Sequence, residues 1–435
     1  MEGTYTTDAL AIGNTTSASF KLMGAGKTKT TLRLKNDATY SPSAGFNYVM
    51  LSQFLQDFYL ADLTIDCNWY GQGGVGLTCS GSGSPPLSKI SSAYTCGYKN
   101  GGVYVYCKTG KIERVKVINF GANGQVPWTG AGVEAFPLVL RTPNIGQSES
   151  APALVIQDCE VTGFTSVNGG YCTAIFVNTR LTLPPYFAQT IDCSTAFPPP
   201  TAPDADHYQR QLGCRANVMA LVQNNTVYNL AGGIAYGAAD SERVTFMNNS
   251  ALDCTLGFNC DTFYATNIVI DGNSFIDVEQ GIHIGAGGYG ASSLLYGPIV
   301  INNNLFRLRG GRQYKVYHNV YYDYCATNYP NANYLQYVWD DSYAIRLSGA
   351  TTDVVVSNNQ VTAIPAALFA SPSGQQPRYY FIRALSGGDV DFPGIARWCQ
   401  HYNAFQLSGN TVSSSPWSFS TIPSPGPNET WQVPQ

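Results

Sequence analysis

The sequence predicts an all-β solenoid, a chain wound into stacked coils of short strands. Three glycine-led segments recur 24 residues apart: Gly233-Ile234-Ala235-Tyr236, Gly257-Phe258-Asn259-Cys260 and Gly281-Ile282-His283-Ile284. Each is followed by a second short apolar strand that ends in an Asn-rich turn. Self-similarity at this period marks repeats that stack on one another. Such a chain escapes the size limit of a single core, because each repeat packs only on its neighbours. The 435 residues therefore do not demand two domains.

The second repeat is apolar–x–apolar, one or two polar residues, Asn or Asp, then another apolar residue. It occurs at 63–70 (LTIDCNWY), 115–120 (VKVINF), 154–161 (LVIQDCEV), 220–227 (ALVQNNTV), 244–251 (VTFMNNSA), 268–275 (IVIDGNSF), 299–306 (IVINNNLF), 354–361 (VVVSNNQV) and 405–412 (FQLSGNTV). This predicts roughly nine to ten coils of two or three short strands each. Asn and Gly suit the turns because they tolerate left-handed backbone angles. Asn residues at the same turn of successive coils are expected to stack as a hydrogen-bonded ladder.

These repeats resemble the right-handed parallel β-helix, or pectin-lyase-like, superfamily. The likeness extends over about residues 15–415, and the opening 20–34 (FKLMGAGKTKTTLRL) is similar to a first coil. The resemblance implies a single β-helix domain over 1–415 and an irregular tail or cap at 416–435. Insertions are expected at 68–102, 121–135, 178–215, 307–340 and 364–402, where solenoids often carry a binding face. The 307–340 insertion is dense in tyrosine and ends at Trp339, Asp340 and Asp341. Its aromatic rings suit either sugar stacking or a small core of its own.

Net charge is −4 and the isoelectric point about 5.6, which argues against a nucleic-acid partner. No apolar run approaches the ~18 residues that span a membrane. The Met1-Glu2-Gly3 opening has no basic or apolar leader region, so it reads as a mature or truncated chain of a secreted, periplasmic or cell-surface protein. None of the 12 cysteines forms a C-x-x-C pair and the four histidines are scattered, so neither a metal site nor a cofactor is expected. The cysteines read as buried apolar residues or as disulfides. Cys193 with Cys214 and Cys325 with Cys399 are the preferred bridges, while Cys254 and Cys260 read as core. Sequons stand at Asn14, Asn224, Asn248 and Asn428.

Strand alternation predicts which side chains leave the tube. Ile234, Tyr236, Phe258, Cys260, Ile282, Ile284, Ile345 and Leu347 point in. The outer face of one sheet then reads Tyr104, Tyr106 and Lys108; Arg141; Asn178; Ala235 and Gly237; Asn259 and Asp261; His283; Arg346. Small residues in the middle leave room for an extended polymer between polar flanks.

Three functions fit such a groove. Glycoside hydrolysis needs two carboxyl groups across the scissile bond. Asp261, Glu279 and Asp240 are the candidates, with His283 as orienting group. Asn259, Arg346, Arg141, Lys108, Tyr104, Tyr106, Asp340, Asp341 and Trp339 would bind substrate. The run Asn259-Cys260-Asp261, Glu279-Gln280, His283 and Arg346 resembles the polygalacturonase-type hydrolases. It departs from them in Glu-Gln for the acidic pair, in lacking Gly-His-Gly, and in Ser348 two residues after Arg346. The second function is β-elimination on a uronic-acid polymer, with a basic lining and a His, Lys, Arg or Tyr base. The third is a non-catalytic glycan-binding, tailspike-like or adhesin solenoid.

Overall fold

The computed structural model describes residues 2–12, 18–36, 46–72, 97–124, 134–141, 152–167, 171–178, 219–238, 242–260, 264–284, 294–295, 299–309, 341–348, 350–351, 354–364, 378–385 and 405–413. These residues form strands and one 3-10 turn, Tyr70–Gln72. Strand pairing is parallel except where Gly97–Lys99 meets Ala122–Gly124. Each strand bonds to the equivalent strand of the next repeat, as at Ala220↔Val244, Val244↔Ile268, Ile268↔Ile299, Ile299↔Val354 and Val354↔Phe405. A chain that pairs in parallel with its own next repeat, over and over, is a parallel β-helix.

Three strand layers recur in each coil. The first holds Leu154–Gln157, Ala220–Gln223, Glu242–Met247, Tyr264–Asp271, Ile299–Asn302, Val354–Ser357 and Phe405–Ser408. The second holds Glu160–Val161, Ser274–Val278, Leu305–Arg309, Gln360–Ile364 and Thr411–Val412. The third holds Leu138–Arg141, Tyr171–Asn178, Gln280–Ile284, Asp341–Ser348 and Arg378–Leu385. Thr226–Ala238 and Ser250–Cys260 run through the corner and serve both second and third layers.

The first-to-second corner is built the same way in successive coils. Asn224, Asn248, Gly272, Asn303, Asn358 and Gly409 take φ between 54° and 66°. Asn and Gly reach that region at least cost. At Gly272 an added Cβ would also lie 2.7 Å from Asn248 Oδ1. The residue after each is an asparagine: 225, 249, 273, 304, 359 and 410. Asn225 Nδ2 and its backbone N–H both donate to Asn249 Oδ1, each at 3.0 Å. The same pair of bonds links Asn249 to Asn273, Asn273 to Asn304, Asn304 to Asn359 and Asn359 to Asn410. The second amide hydrogen of each donates across to the carbonyl of Ile156, Val222, Phe246, Ile270, Ile301 or Val356. From Asn225 to Asn359 the rungs are at most 2% exposed. An amide carries two donors and an acceptor oxygen, and here all are used.

Inside the tube the apolar columns pack ring on ring. Phe246 meets Phe258 at 4.6 Å between centroids, and Phe275 stacks on Phe306 at 5.2 Å. Tyr236 is buried with its hydroxyl 2.9 Å and 2.7 Å from the carbonyls of Asn225 and Ser250. The six described cysteines, Cys67, Cys107, Cys159, Cys172, Cys254 and Cys260, are buried free thiols, and none of them is bridged. The positions expected to form bridges, Cys193, Cys214, Cys325 and Cys399, lie outside the described residues.

Two readings of register need correction. Gly233 is not the equivalent of Gly257. The pairing shifts from Leu230↔Cys254 to Ile234↔Leu256, because the corner at Ala231-Gly232 holds two extra residues. Two residues preserve alternation, so Tyr236 still stacks on Phe258. Ala235, expected outside, is fully buried at that corner, and Ile234 is only half-buried. The stretch 364–402 also contains a rung of the third layer, Arg378–Leu385, paired with Asp341–Ser348.

The ladder yields a stability prediction. Asn273→Ala orphans two buried donors on Asn249 and frees the Phe246 carbonyl. A loss of roughly 2–4 kcal/mol is expected from burying unpaired polar groups. Chemical denaturation of the variant beside wild type reads it. A loss below about 0.5 kcal/mol, the size of an ordinary surface substitution, would refute the ladder's role.

Candidate functional site

The third layer is where the chain spends its insertions. The connections 142–151, 179–218, 239–241, 261–263, 285–293 and 386–404 all leave the ends of its strands. The connections 125–133, 168–170, 310–340 and 365–377 all lead into their beginnings. The first-to-second corner, by contrast, takes two residues per coil: 158–159, 224–225, 248–249, 272–273, 303–304, 358–359 and 409–410. Loops set on a rigid scaffold are where binding and catalysis concentrate.

Along this layer the outward positions line up. Val139, Phe176, Gly237, Asn259, His283, Arg346 and Arg383 are register partners on successive strands. On either side of them run inward columns, Ile175-Tyr236-Phe258-Ile282-Ile345 and Val177-Ala238-Cys260-Ile284-Leu347, all at most 1% exposed. Apolar neighbours at i−1 and i+1 therefore force Asn259, His283 and Arg346 onto the outer surface.

His283 is 6% exposed, with its ring 6.5 Å edge-on from that of Tyr343. The Arg346 guanidinium lies 5.8 Å from the same Tyr343 ring. Burial, and then the positive charge of Arg346, push the His283 pKa well below its usual range. The imidazole is therefore neutral at neutral pH and can accept a proton. Tyr343 is itself pinned, its hydroxyl donating to Gln280 Oε1 at 2.6 Å.

Two polar atoms flank the histidine without a hydrogen-bond partner among the described residues: Asn259 Oδ1 and Arg346 Nε, both buried. Stranding such atoms costs ~1–3 kcal/mol each. One outward carboxylate on another layer is, by contrast, fully engaged. Glu113, on the first layer, accepts from Tyr59 at 2.5 Å, Lys111 at 2.7 Å, Gln157 at 3.0 Å and Arg114 at 3.1 Å. Burial pushes the Glu113 pKa up, yet the bonds from Lys111, Tyr59 and Arg114 prevail and bring it to about 2. One acceptor, Asn259 Oδ1, and one donor, Arg346 Nε, thus stand on the strands on either side of His283.

The expected site residues separate into groups. Asn259, His283 and Arg346 are brought together. Tyr104, Tyr106 and Arg141 form a second cluster toward the N-terminal end of the same layer. Arg141 Nη1 donates to the Tyr104 hydroxyl at 2.6 Å. Lys108 stands near the exposed Asp57, whose carboxyl is held low chiefly by hydrogen bonds from Thr109 and Ser19 and in lesser part by that charge. Glu279 is 2% exposed at the corner preceding Gln280, where its carbonyl accepts from Ser342 Oγ. Asp261 follows the opposite end of the neighbouring strand, and it lies outside the described residues with Asp240, Trp339 and Asp340. Asp341 opens the strand Asp341–Ser348, with its side chain not described. Among the described residues no three His, Cys, Asp or Glu side chains gather as a metal site, and no helix is long and apolar enough to cross a membrane. Sequence reasoning missed Tyr343, and it named Gln280 only as the partner of Glu279 in the place of an acidic pair. The aromatic entering a strand reads as core, and nothing in its spacing marks it as the support of His283 and Arg346.

No protein-family model matches the chain, and no curated protein does. Solved structures are similar only at low identity. The A-module of the mannuronan C-5 epimerase AlgE6 from Azotobacter vinelandii is 12% identical, covering 95% of this chain and 89% of its own, with a TM-score of 0.25. PfbA, a surface adhesin of Streptococcus pneumoniae, is 10% identical over 88% and 82%, with a TM-score of 0.34. The Agl-KA catalytic domain is 10% identical over 95% and 61%, with a TM-score of 0.24. The assignment rests on the strand pairing itself: the chain is an all-β parallel β-helix protein.

The buried neutral histidine predicts a pH signature. His283 has a folded pKa below the unfolded value of ~6.5. Above that value neither state binds the proton and the residue contributes nothing. Below it the unfolded chain takes up a proton that the folded chain refuses, so stability falls as pH drops, by up to ~1.4 kcal/mol per pH unit. Denaturant melts between pH 7 and 5 should show His283→Asn with a shallower fall than wild type. Parallel slopes would mean that the imidazole is not held neutral.

Proposed function

We propose that the outward face of the third layer binds a uronic-acid polysaccharide and cleaves it by β-elimination. The observation that carries this reading is the register column in which neutral His283 stands between Asn259 and Arg346 on the outer face of the third layer. Arg346 pairs with the substrate carboxylate, which lowers the cost of carbanion character at the adjacent carbon. His283 accepts the proton from that carbon. The electron pair closes the C4–C5 double bond as the C4–O bond breaks. The leaving glycosidic oxygen takes up a proton and becomes the new hydroxyl. Binding a carboxylate also offsets the Arg346 charge that holds the imidazole pKa down, so the substrate strengthens its own base.

A two-carboxylate hydrolase has less support. Among the described side chains of this layer the carboxylate is Glu279, and it lies buried at the strand entrance rather than on the outward column. A carbohydrate ligand and an extracellular setting fit either chemistry, and they fit a purely glycan-binding solenoid as well.

The experiment is a panel of polyuronates and neutral glucans, assayed both for new reducing ends and for ultraviolet absorbance of an unsaturated uronate. Absorbance is expected on a polyuronate. His283→Gln should lower it at least 100-fold, the scale of general-base catalysis, and Arg346→Gln should lower it too. Reducing ends without absorbance would overturn β-elimination in favour of hydrolysis. Binding without either signal would make the groove a receptor.

A further inference from the structure

The N-terminal end of the same layer holds a second cluster that the chemistry at His283 does not use. The outward column runs back from His283 through Asn259, Gly237, Phe176 and Val139 to Tyr104. Five strand steps of ~4.8 Å place Tyr104 ~24 Å from His283 along the tube. Two residues further along the strands, Tyr106 and Arg141 are register partners. The Arg141 guanidinium carbon lies 4.9 Å from the Tyr106 ring centre and 5.9 Å from that of Tyr104, whose hydroxyl accepts its Nη1 hydrogen. Tyr104 is braced in turn by Tyr48 at 5.1 Å, Tyr106 at 5.7 Å and Phe136 at 6.4 Å. Phe136 meets Phe176 at 5.3 Å, and Phe176 abuts the space where Gly237 lacks a Cβ. A row of apolar contacts thus links the two polar ends; Tyr106, Arg141 and Phe176 are each partly exposed along it, while Val139 and Gly237 are buried.

An arginine held by two tyrosine rings and a phenol oxygen has lost much of its rotamer freedom before any ligand arrives. Its planar fork suits a carboxylate. We propose that Arg141, positioned by Tyr104 and Tyr106, is a remote subsite for a second uronate of the same chain, with Phe176 supporting a sugar ring in between. The inference rests on reading this layer as a polyuronate groove, and it adds that the groove senses chain length. A pyranose in an extended polymer advances about one strand spacing, so both ends engage only a chain of about five sugars or more. Linking two contacts through one ligand raises affinity without any new contact.

The test is calorimetric binding of galacturonate trimers and octamers, with neutral maltodextrins of the same lengths, to intact protein. Wild type should bind the galacturonate octamer at least tenfold more tightly than the trimer. Arg141→Gln should abolish that gain and Tyr104→Phe should reduce it, while Arg307→Gln, on the second layer where Arg307 pairs with Asp277, should keep it. Should Arg141→Gln unfold, Arg141→Lys keeps the charge, loses the planar fork, and is expected to lose part of the gain. Equal affinity for trimer and octamer, a full gain in the arginine variants, or the same gain with maltodextrins would overturn the subsite. An Arg141-dependent gain in a protein that forms no unsaturated product would uphold the subsite while overturning the elimination chemistry.

Discussion

Everything in this molecule hangs on the asparagine ladder. A parallel β-helix must turn a corner at every coil, and a buried corner leaves backbone donors with nowhere to point. Here each ladder asparagine answers twice. Its oxygen takes two donors from the coil before, one backbone and one side chain, and its own amide donates both onward and back. The bond is therefore also a spacer. A coil that slipped by one residue would leave three or more buried polar groups unmatched and turn its whole apolar set outward. The ladder fixes the register of the first layer, and the continuous strands Thr226–Ala238 and Ser250–Cys260 carry that register to the third.

This division of labour explains why the polar face lies where it does. A corner held to two residues cannot accept insertions without breaking the ladder. The ends of the third layer carry no such constraint, and there the chain departs for as many as forty residues, at 179–218. The rigid corner and the ends of the third-layer strands lie at different places in each coil, and the outward column on those strands inherits the scaffold's precision. His283 and Arg346 are adjacent because Ile282↔Ile345 and Ile284↔Leu347 are buried pairs on either side. Moving one relative to the other would mean unpacking the core.

How much of this the sequence disclosed follows from the same physics. The ladder was legible because it needs two consecutive residues of narrow type, a left-handed Asn or Gly and then Asn, and few other motifs write that pair at the corners from 224–225 to 409–410. The outward positions of Asn259, His283 and Arg346 were legible because flanking apolar residues force alternation. The equivalence of Gly233 with Gly257 misled, since a 24-residue spacing counts residues and not rungs, and Ala231-Gly232 widen the corner without a hydrophobic signature. Alternation survived because the excess was even. Glu279 looked like a groove carboxylate because polarity in a turn usually means exposure. The corner buries it instead, and only packing between coils reveals that. Tyr343 was hidden for the converse reason, an aromatic in a strand being core by default.

The chemistry of the column follows from its burial more than from its residue types. An exposed His beside an exposed Arg would both be solvated, and the charge of one would hardly reach the other. At 6% exposure His283 feels desolvation and the Arg346 charge together, and both favour the neutral ring. Neutrality supplies a base at neutral pH, but a weakened one while the charge of Arg346 acts on it. A carboxylate that pairs with Arg346 removes the Coulombic part of that handicap and leaves the ring neutral until it acts. On the proposed reading, the anion that pairs with the arginine is thus also the one that makes the histidine competent. A neutral sugar in the same groove would leave the arginine's charge in place and the ring a poor base, so on this reading discrimination for uronates is exercised at the proton-transfer step as well as at binding.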